Sequence, residues 1–241
     1  MKQIKVTDST KEEGSISYLL KSLASLASDL GGEIVKIESE QRVGVKVFCK
    51  AEHEDFFRSE IEDKIADVIV VKYKYEFFKR KIHPAGLSLY EIELLITALI
   101  SADIEEDKRY ILRRLRGQTD YVLDGFFNFR LQALKNKWKE IVSYIPVVFS
   151  AKQLEDFVAY LVSEKRGKRV LVQNGKVYDL YYNPLKKSAL LDGKGDLVRE
   201  VLLSSGGSVE VMSKISKEEE KYLRSFFGRK VSFLKGSLKN G

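Results

Sequence analysis

Hydrophobic residues in the first third of the chain switch between the two-residue period of a strand and the helical period of about 3.6 residues. The helical stretch begins near Thr10, where Glu13 completes a capping box, and ends near Leu30, just before Gly31-Gly32. Three other stretches are rich in β-forming residues and are predicted strands: 3–6, 33–38 and 43–49. The N-terminal region is therefore predicted to mix strands with helix.

The stretch from Val68 to Tyr75 has two interpretations. Its β-branched residues favour a strand. However, the apolar residues before it carry the helical period into it, at Phe57, Ile61, Ile65, Val68 and Lys72. We therefore expect one long helix from about Glu52, ended by His83-Pro84 because proline disfavours helical backbone in the residue before it.

Helical periodicity dominates the middle of the chain, residues 84–166. Two capping boxes open helices there, Ser88 with Glu91 and Ser150 with Gln153. The first of these helices is predicted to continue to about Arg116. Several helices joined by short loops pack as a bundle, so this middle segment is predicted to be a helical bundle.

Another predicted helix of this segment opens at Asp124, a good N-cap residue because its carboxylate accepts backbone amide hydrogens. One apolar stripe follows, ended by Pro146: Phe127, Leu131, Leu134, Trp138, Ile141 and Ile145. Phe129 lies about 200° around the helix from Phe127 and points away from that stripe. Either a second element covers Phe129, or Phe129 is exposed and contacts a partner.

After Gly167 the pattern changes to the period of strands. Asn174-Gly175 between two β-rich runs predicts a hairpin with a type I′ turn. The ending predicts a helix near 196–203 and then a βαβ crossover, with strands near 208–212 and 230–234 around a helix capped by Ser216 and Glu219. The predicted fold class is α+β, in three segments: an N-terminal α+β unit 1–83, a helical middle 84–166 and a C-terminal α+β unit 167–241.

The stretch Leu123 to Leu131, with the sequence LDGFFNFRL, resembles the DGFINFRL signature of the YtxC-like family, sporulation-associated proteins of endospore-forming bacteria. The stretch from Asp196 to Phe233 is similar to that family's ending, although Leu234-Lys235 stands where a cysteine or similar residue is expected. The resemblance implies an association with sporulation, and it implies no reaction, cofactor or catalytic residue. It marks these candidate interaction residues: Asp124, Gly125, Phe126, Asn128, Phe129 and Arg130.

The net charge of +7 is unevenly distributed. Residues 1–86 contain 15 basic and 15 acidic side chains and residues 87–166 contain 12 of each, whereas residues 167–241 contain 15 basic and 8 acidic. This C-terminal excess, which includes Lys186 and Lys187, could face an anion such as nucleic acid. Alternatively, it is a solvated surface that keeps the protein soluble.

A second candidate basic surface is the row Arg109, Arg113 and Arg116, whose spacing of four and three residues places them on one helix face. Such a row could bind phosphates. It could equally be a solvated row, since basic residues near a helix C-terminus interact favourably with the helix dipole and Glu105 precedes Arg109 by four.

Few residues suggest catalysis or metal binding. The two histidines and single cysteine form no metal-ligand spacing, and neither a nucleophile elbow nor a phosphate-binding glycine loop occurs. Cys49 and His53, four apart, are expected to be a buried thiol and a surface imidazole. We therefore expect no enzymatic activity, no cofactor and no bound metal.

The longest uncharged runs are too short to span a membrane, and the N-terminus lacks the apolar core of a signal peptide. A single cysteine excludes an intrachain disulfide and fits a reducing compartment, so the expected location is the cytoplasm. Two functions follow as hypotheses. The first is a non-enzymatic interaction protein associated with sporulation, with an unknown protein partner and an open oligomeric state. The second is a nucleic-acid-binding module that uses the basic C-terminal third.

Overall fold

A computed structural model describes residues 1–165, 167–192, 195–204 and 207–234. Helices and mixed sheets occur together, which confirms the α+β class. The chain forms two compact units: the first contains 1–73 and 105–140, and the second contains 74–104 and the chain from Ile141 onward. The three-segment division drawn along the sequence stays a prediction.

The strands of the described chain are β1 (Lys2–Ser9), β2 (Glu33–Glu38), β3 (Arg42–Cys49), β4 (Asp120–Val122), β5 (Arg169–Gln173), β6 (Lys176–Tyr178), β7 (Pro184–Leu185), β8 (Ser208–Val211) and β9 (Val231–Phe233). The α-helices are α1 (Glu13–Asp29), α2 (Glu54–Asp67), α3 (Lys74–Lys79), α4 (Leu89–Leu115), α5 (Leu123–Arg130), α6 (Gln132–Ser143), α7 (Ala151–Ser163), α8 (Ala189–Asp192), α9 (Leu197–Leu203) and α10 (Lys217–Phe227). A π-helix, Val68–Tyr73, follows α2, and short 3-10 turns occupy Thr10–Glu12, Ala51–His53 and Gly228–Lys230.

The first unit is built on a sheet with strand order β2-β3-β1-β4. β1 is antiparallel to β3 and parallel to β4. Because side chains alternate along a strand, Ile4 and Val6 of β1 share one face with Val43, Val45 and Val47 of β3, and all five are buried. Helix α1 packs on this sheet and α2 packs on α1, which places the core of the unit on this face.

The predicted strands of this unit are confirmed, as is the end of α1, where Gly31 adopts a φ of 62°. The capping box at Thr10 and Glu13 is wrong. The chain enters a 3-10 turn directly from β1, so Thr10 already belongs to that turn and α1 begins only at Glu13, with no side-chain cap.

The stretch from Val68 to Tyr75 is helical, as the apolar spacing predicts, but its first six residues form a π-helix. β-Branched side chains crowd an α-helix, and a π-helix adds a residue to the turn. Val68 to Val71 are fully buried, so this segment belongs to the core despite its β-forming composition.

The single helix predicted from Asp124 to Ile145 is wrong in two respects. It is broken at Leu131, whose φ of −111° and ψ of 30° separate α5 from α6. Its N-cap is Val122, so Asp124 lies inside the first turn. The reason is that Val122 still pairs with β1, and the helix starts immediately after that strand ends. Leu131, Leu134 and Trp138 are buried, as the apolar stripe predicts, whereas Phe127, Ile141 and Ile145 are only partly buried.

The second unit contains a sheet of order β7-β6-β5-β8-β9. The predicted hairpin is confirmed, since β5 and β6 are antiparallel and Asn174 and Gly175 have φ values of 50° and 70°, as a type I′ turn requires. The βαβ ending is also confirmed, because β9 is parallel to β8 and α10 connects them. The capping boxes at Ser88, Ser150 and Ser216 all form.

Trp138→Ala should lower the free energy of unfolding by about 3–5 kcal/mol, since truncating a large buried aromatic leaves a cavity. The indole is fully buried, stacks on Phe127 with ring centroids 5.8 Å apart and donates to Asp107 over 2.9 Å. Urea unfolding measures the change. Phe129→Ala is the matched control: Phe129 is 83% exposed, so this variant should stay within about 0.5 kcal/mol of the wild type. An unchanged midpoint for Trp138→Ala would contradict the prediction.

Candidate functional site

A carboxyl group lies in the core of the first unit. Asp8 continues the buried face of β1 after Ile4 and Val6, pairs with Val43 of β3 and is 0% exposed. An apolar residue would suit this position, because burying a charged group without a partner is costly. Asp8 is therefore the most unusual placement of a charged side chain on this sheet.

The two oxygens of the Asp8 carboxyl differ in their surroundings. Oδ1 accepts hydrogen bonds from the Tyr73 hydroxyl at 2.7 Å and from the Ser9 backbone amide at 2.9 Å. Oδ2 is buried and has no hydrogen-bond partner among the described residues. Tyr73 is the last residue of the π-helix, so the wider winding of that helix sets the direction in which the tyrosine side chain points toward β1.

The charged groups around Asp8 do not neutralise it. The pKa of Asp8 is raised from 3.8 to about 7, mainly by burial; the hydrogen bonds from Tyr73 and Ser9 oppose this shift, and the carboxylates of Glu12 and Asp124 add to it. Glu12 pairs with Lys72 at 3.3 Å, so this lysine already has a carboxylate of its own. The Asp8 carboxyl is thus much harder to ionise than an ordinary aspartate.

Asp124 ties the first turn of α5 to the sheet. Its Oδ1 accepts a 2.6 Å hydrogen bond from Arg42 Nη2, and Arg42 Nε donates to Thr7 Oγ1 at 3.4 Å. Although partial burial raises it, the pKa of Asp124 is lowered overall by the hydrogen bond and charge of Arg42. The carboxylate predicted to cap the helix therefore fastens the helix to β1 and β3 instead.

A second contact joins α5 to the Asp8 cluster. The Phe127 ring lies 4.8 Å from the Tyr73 ring, centroid to centroid, and stacks on Trp138 at 5.8 Å. Lys135 Nζ stands 5.2 Å from the Phe127 centroid. A continuous row of contacts thus leads from Asp8 through Tyr73 and Phe127 to Trp138.

The predicted motif residues divide into an inner and an outer set. Phe126 is buried, and Gly125 packs near Val122, whose methyl group would lie 3.4 Å from a Cβ at that glycine. Asn128, Phe129 and Arg130 are exposed, and Phe129 is 83% exposed. Burial of Phe129 against a second element is therefore wrong, and its exposure is the observed arrangement.

The arginine row lies in the first unit among acidic side chains. Arg109 and Arg113 are exposed on α4, and Arg116 follows its end. Arg116 lines a groove of about 340 Å³ together with one further arginine and three carboxylates: Arg58, Asp55, Glu62 and Asp63. Both positive and negative groups therefore line this groove.

Lys186 and Lys187 lie in the second unit. Lys186 is exposed and lines a groove of about 250 Å³ that also contains Asp196 and Glu200. The backbone amide of Lys187 donates to Glu200 at 3.0 Å. The structure therefore brings neither lysine into a purely basic pocket.

Several cations of the basic third stabilise the second unit itself. Arg199 is buried and pairs with Glu93 at 3.2 Å, and Lys230 Nζ donates to backbone carbonyls, the nearest being that of Val162 at 2.8 Å. Three more pair with carboxylates: Arg169 with Glu210, Lys221 with Glu155 and Arg224 with Glu220. Lys194, Lys235 and Lys239 lie outside the described residues.

Cys49 is buried, and burial raises the pKa of its thiol, while the partly exposed His53 lies 3.5 Å from Glu52. Across residues 1–165, 167–192, 195–204 and 207–234, no three histidine, cysteine or acidic side chains converge to hold a metal ion. In the same ranges, no helix is both long and apolar enough to cross a membrane.

Comparisons of this chain with known protein families, with curated proteins and with solved structures find no match. The site is therefore described from its own geometry. Sequence reasoning missed Asp8, Tyr73 and Arg42. One local signal was present, since Asp8 continues the spacing of Ile4 and Val6 and so falls on the apolar face of a predicted strand.

Asp8→Asn should change how stability depends on pH. The unfolded chain releases the Asp8 proton near pH 4, whereas the folded protein keeps it until about pH 7, so this group makes folding less favourable as pH rises between those values. The slope is at most about 1.4 kcal/mol per pH unit. The variant keeps an acceptor for Tyr73 and cannot ionise. Its free energy of unfolding relative to the wild type should therefore increase from pH 4 to pH 7.

Urea unfolding at a series of pH values measures this difference. Asp120→Asn, which changes an exposed carboxylate on β4, is the control and should follow the wild-type curve. Parallel curves for Asp8→Asn and the wild type would refute the assignment.

Proposed function

We propose that this chain is a non-enzymatic cytoplasmic protein that acts by binding another protein, and that it does so with the outer side of α5 around Phe129. The observation that carries the proposal is the 83% exposure of Phe129 on a helix that is fastened from its inner side. A single exposed aromatic is common on protein surfaces. Phe129 differs in that its helix is held in place: Asp124 binds Arg42 of β3, and the Phe127 ring packs against Tyr73.

A fixed aromatic is a favourable anchor for a partner. Large, well-supported aromatic and arginine side chains supply most of the energy at typical protein interfaces, and an anchor that is already held in place loses less entropy on binding. Val122, the last residue of β4, is 40% exposed beside the start of the helix, and Gly125 precedes Phe129 by four residues, which places Gly125 and Phe129 on one helix face. Asn128 and Arg130 add polar groups beside them, which suits the rim of an interface.

The resemblance to the YtxC-like family supports a sporulation role for this surface. The stretch that carries the resemblance, Leu123 to Leu131, is the stretch that forms α5. Three of its residues have structural roles: Asp124 binds Arg42, Phe126 is buried and Phe127 contacts Tyr73. Packing within the described chain gives no comparable reason for phenylalanine at position 129, and a partner-contact role would supply one.

The basic third supports the interaction hypothesis more than nucleic-acid binding. Five of its cations are engaged with carboxylates or backbone carbonyls of the protein, so the net charge overstates what a phosphate backbone could meet: Arg169, Arg199, Lys221, Arg224 and Lys230. Nucleic-acid binding remains the alternative, in which Lys186 and Lys187 would contact phosphates.

Phe129→Ala should abolish capture of a specific partner while leaving the protein folded, because it removes an exposed anchor and no core contact. The measurement is a pull-down from a sporulating endospore-forming bacterium, comparing the proteins retained by the wild type and by the variant. Tyr181→Ala is the matched control, since Tyr181 is 86% exposed and lies in the other unit. Identical capture by the wild type and Phe129→Ala would exclude this surface.

Random duplex and single-stranded nucleic-acid probes should not bind with submicromolar affinity at physiological salt. The reason is that five of the basic side chains of residues 167–241 already contact carboxylates or carbonyls of the protein. Fluorescence anisotropy measures this. If the alternative function holds, binding will instead weaken steeply with salt, since each phosphate contact releases counterions, and replacing Lys186 and Lys187 by Ala will lower affinity for all sequences alike.

A further inference from the structure

The face of the first unit's sheet opposite its buried face carries a groove of about 360 Å³. The strand registers place one residue from each strand in a single row across this face: Ile37 of β2, Gly44 of β3, Thr7 of β1 and Val122 of β4. Because side chains alternate between the two faces of a sheet, all four positions face the groove. Ile37, Thr7 and Val122 line it. The groove therefore has a largely apolar floor that runs across the strands.

Glycine is required at one position of this floor. A Cβ at Gly44 would lie 2.3 Å from the carbonyl oxygen of Val6 and 2.9 Å from Cγ2 of Thr7, so β1 and β3 approach too closely for a side chain there. The hydroxyl of Thr7 already accepts a hydrogen bond from Arg42 Nε at 3.4 Å. The centre of the floor is thus open and offers few free polar groups.

The length of the floor limits what can lie along it. Four neighbouring strands are separated by three spacings of about 4.8 Å, so the row spans roughly 14 Å. An extended chain covers this distance in about four residues. The groove therefore has the dimensions of a short extended peptide segment.

Two lysines face each other beside this floor. Lys5 lines the groove, and the β1–β3 register places it directly opposite Lys46 on the same face, with the two Cβ atoms about 5 Å apart. Both side chains are partly exposed, and among the described residues no carboxylate lies within ion-pair distance of either. Like charges directly opposite each other destabilise a sheet. A bound anion would relieve this repulsion.

The other charges near the groove do not compensate the lysines. Asp120 of β4 is opposite Lys5 on the other side, but it is exposed and forms no ion pair with Lys5. Two ion pairs account for the remaining charged side chains of the lining: Arg42 with Asp124 at 2.6 Å and Glu38 with Lys36 at 3.5 Å. The free charge of the groove is therefore that of Lys5 and Lys46.

We propose that this groove binds an acidic segment of a protein partner, with an apolar side chain on the floor and carboxylates at Lys5 and Lys46. The assignment to the partner that contacts Phe129 rests on the proposed function. Val122 connects the two surfaces, because it ends the groove and its Cγ1 would lie 3.4 Å from a Cβ at Gly125 of α5.

The lining favours a peptide over other polyanions. Proteins hold single-stranded nucleic acid largely by stacking its bases on aromatic rings, and the described residues that line this groove include no aromatic side chain. Binding to a membrane surface depends on a broad apolar face that enters the lipid, whereas this floor is recessed. A peptide segment can place a side chain on a recessed floor and carboxylates beside it.

Selection of a random peptide library displayed on phage against the full-length protein tests the proposal. The selected peptides should combine aspartate or glutamate with an apolar residue within about four positions. One such peptide, synthesised with a fluorophore, then serves as the probe, and fluorescence anisotropy measures its affinity. Failure to select any binder, or selected peptides with no acidic enrichment, overturns the proposal.

Lys46→Glu should weaken binding of this probe by about tenfold or more, because it places a carboxylate where those of the peptide must lie. A probe with lysine in place of its acidic residues should reverse the order, binding Lys46→Glu more tightly than the wild type. Lys21→Glu is the matched control, since Lys21 is an exposed lysine of α1. Equal affinity of the acidic probe for the wild type and Lys46→Glu would exclude the groove.

Nuclear magnetic resonance locates the bound probe. Titration with the acidic peptide should shift the backbone amide resonances of Thr7, Gly44 and Val122, which belong to the floor. Lys46→Glu should fold normally, because its carboxylate faces Lys5 and replaces a repulsion by an attraction. Peptide-induced shifts confined to residues outside the groove would overturn the assignment.

The repulsion itself is measurable in the free protein. Lys46→Gln should raise the urea midpoint, because it removes one of two facing charges, and this gain should shrink as salt is added. The same variant should bind the acidic probe more weakly. Lys21→Gln should change neither property. An unchanged midpoint for Lys46→Gln would remove the uncompensated charge on which the proposal depends.

The peptide experiments use the isolated protein, so they separate the groove from the Phe129 surface. Phe129→Ala should bind the probe as the wild type does. Peptide binding, together with partner capture that is lost in both Phe129→Ala and Lys46→Glu, supports both proposals. Peptide binding with partner capture that is insensitive to Phe129→Ala supports the groove and rejects the Phe129 surface.

Absent peptide binding rejects the groove whatever the pull-down shows. A random single-stranded nucleic-acid probe that binds through Lys46, while no peptide binds, would identify nucleic acid as the occupant and overturn the proposal.

Discussion

The parallel pairing of β4 with β1 determines the arrangement of the first unit's site. β4 is three residues long, and it places Val122 beside Thr7 in a strand that is distant in sequence. Helix α5 begins at the next residue, so its first turn must start at the end of β1, where Asp8 and Arg42 lie. The position of Asp124 against Arg42 and of Phe127 against Tyr73 follows from that register. A helix beginning two residues later would lose both contacts, because each residue turns the helix by about 100°.

Local signals predicted much of the fold. The hairpin at Asn174-Gly175 and the capping boxes at Ser88, Ser150 and Ser216 formed as expected, because each depends on residues within four positions of one another. Asp124 shows where such reasoning fails. Its residue type suits a cap, but the pairing of Val122 with β1 decided where the helix begins, and that pairing joins distant parts of the chain.

The site was less predictable than the fold for the same reason. The alternation of Ile4, Val6 and Asp8 was visible in the sequence, but nothing local showed that a tyrosine some 65 positions later would meet the carboxyl group. The basic third gives a related lesson. Counting charges could not distinguish Arg199, buried against Glu93, from Lys186 on the surface, because the two differ only in their tertiary surroundings.

The π-helix at Val68–Tyr73 makes the length of this segment a structural requirement. Such a helix contains one residue more than an α-helix of the same number of turns. If these six residues wound as a regular α-helix at the same length, Tyr73 would be rotated by about 100° away from β1. The hydrogen bond from Tyr73 to Asp8 therefore depends on the π-helical winding as well as on the tyrosine itself. The spacing between α2 and Tyr73 carries information that residue identity alone does not.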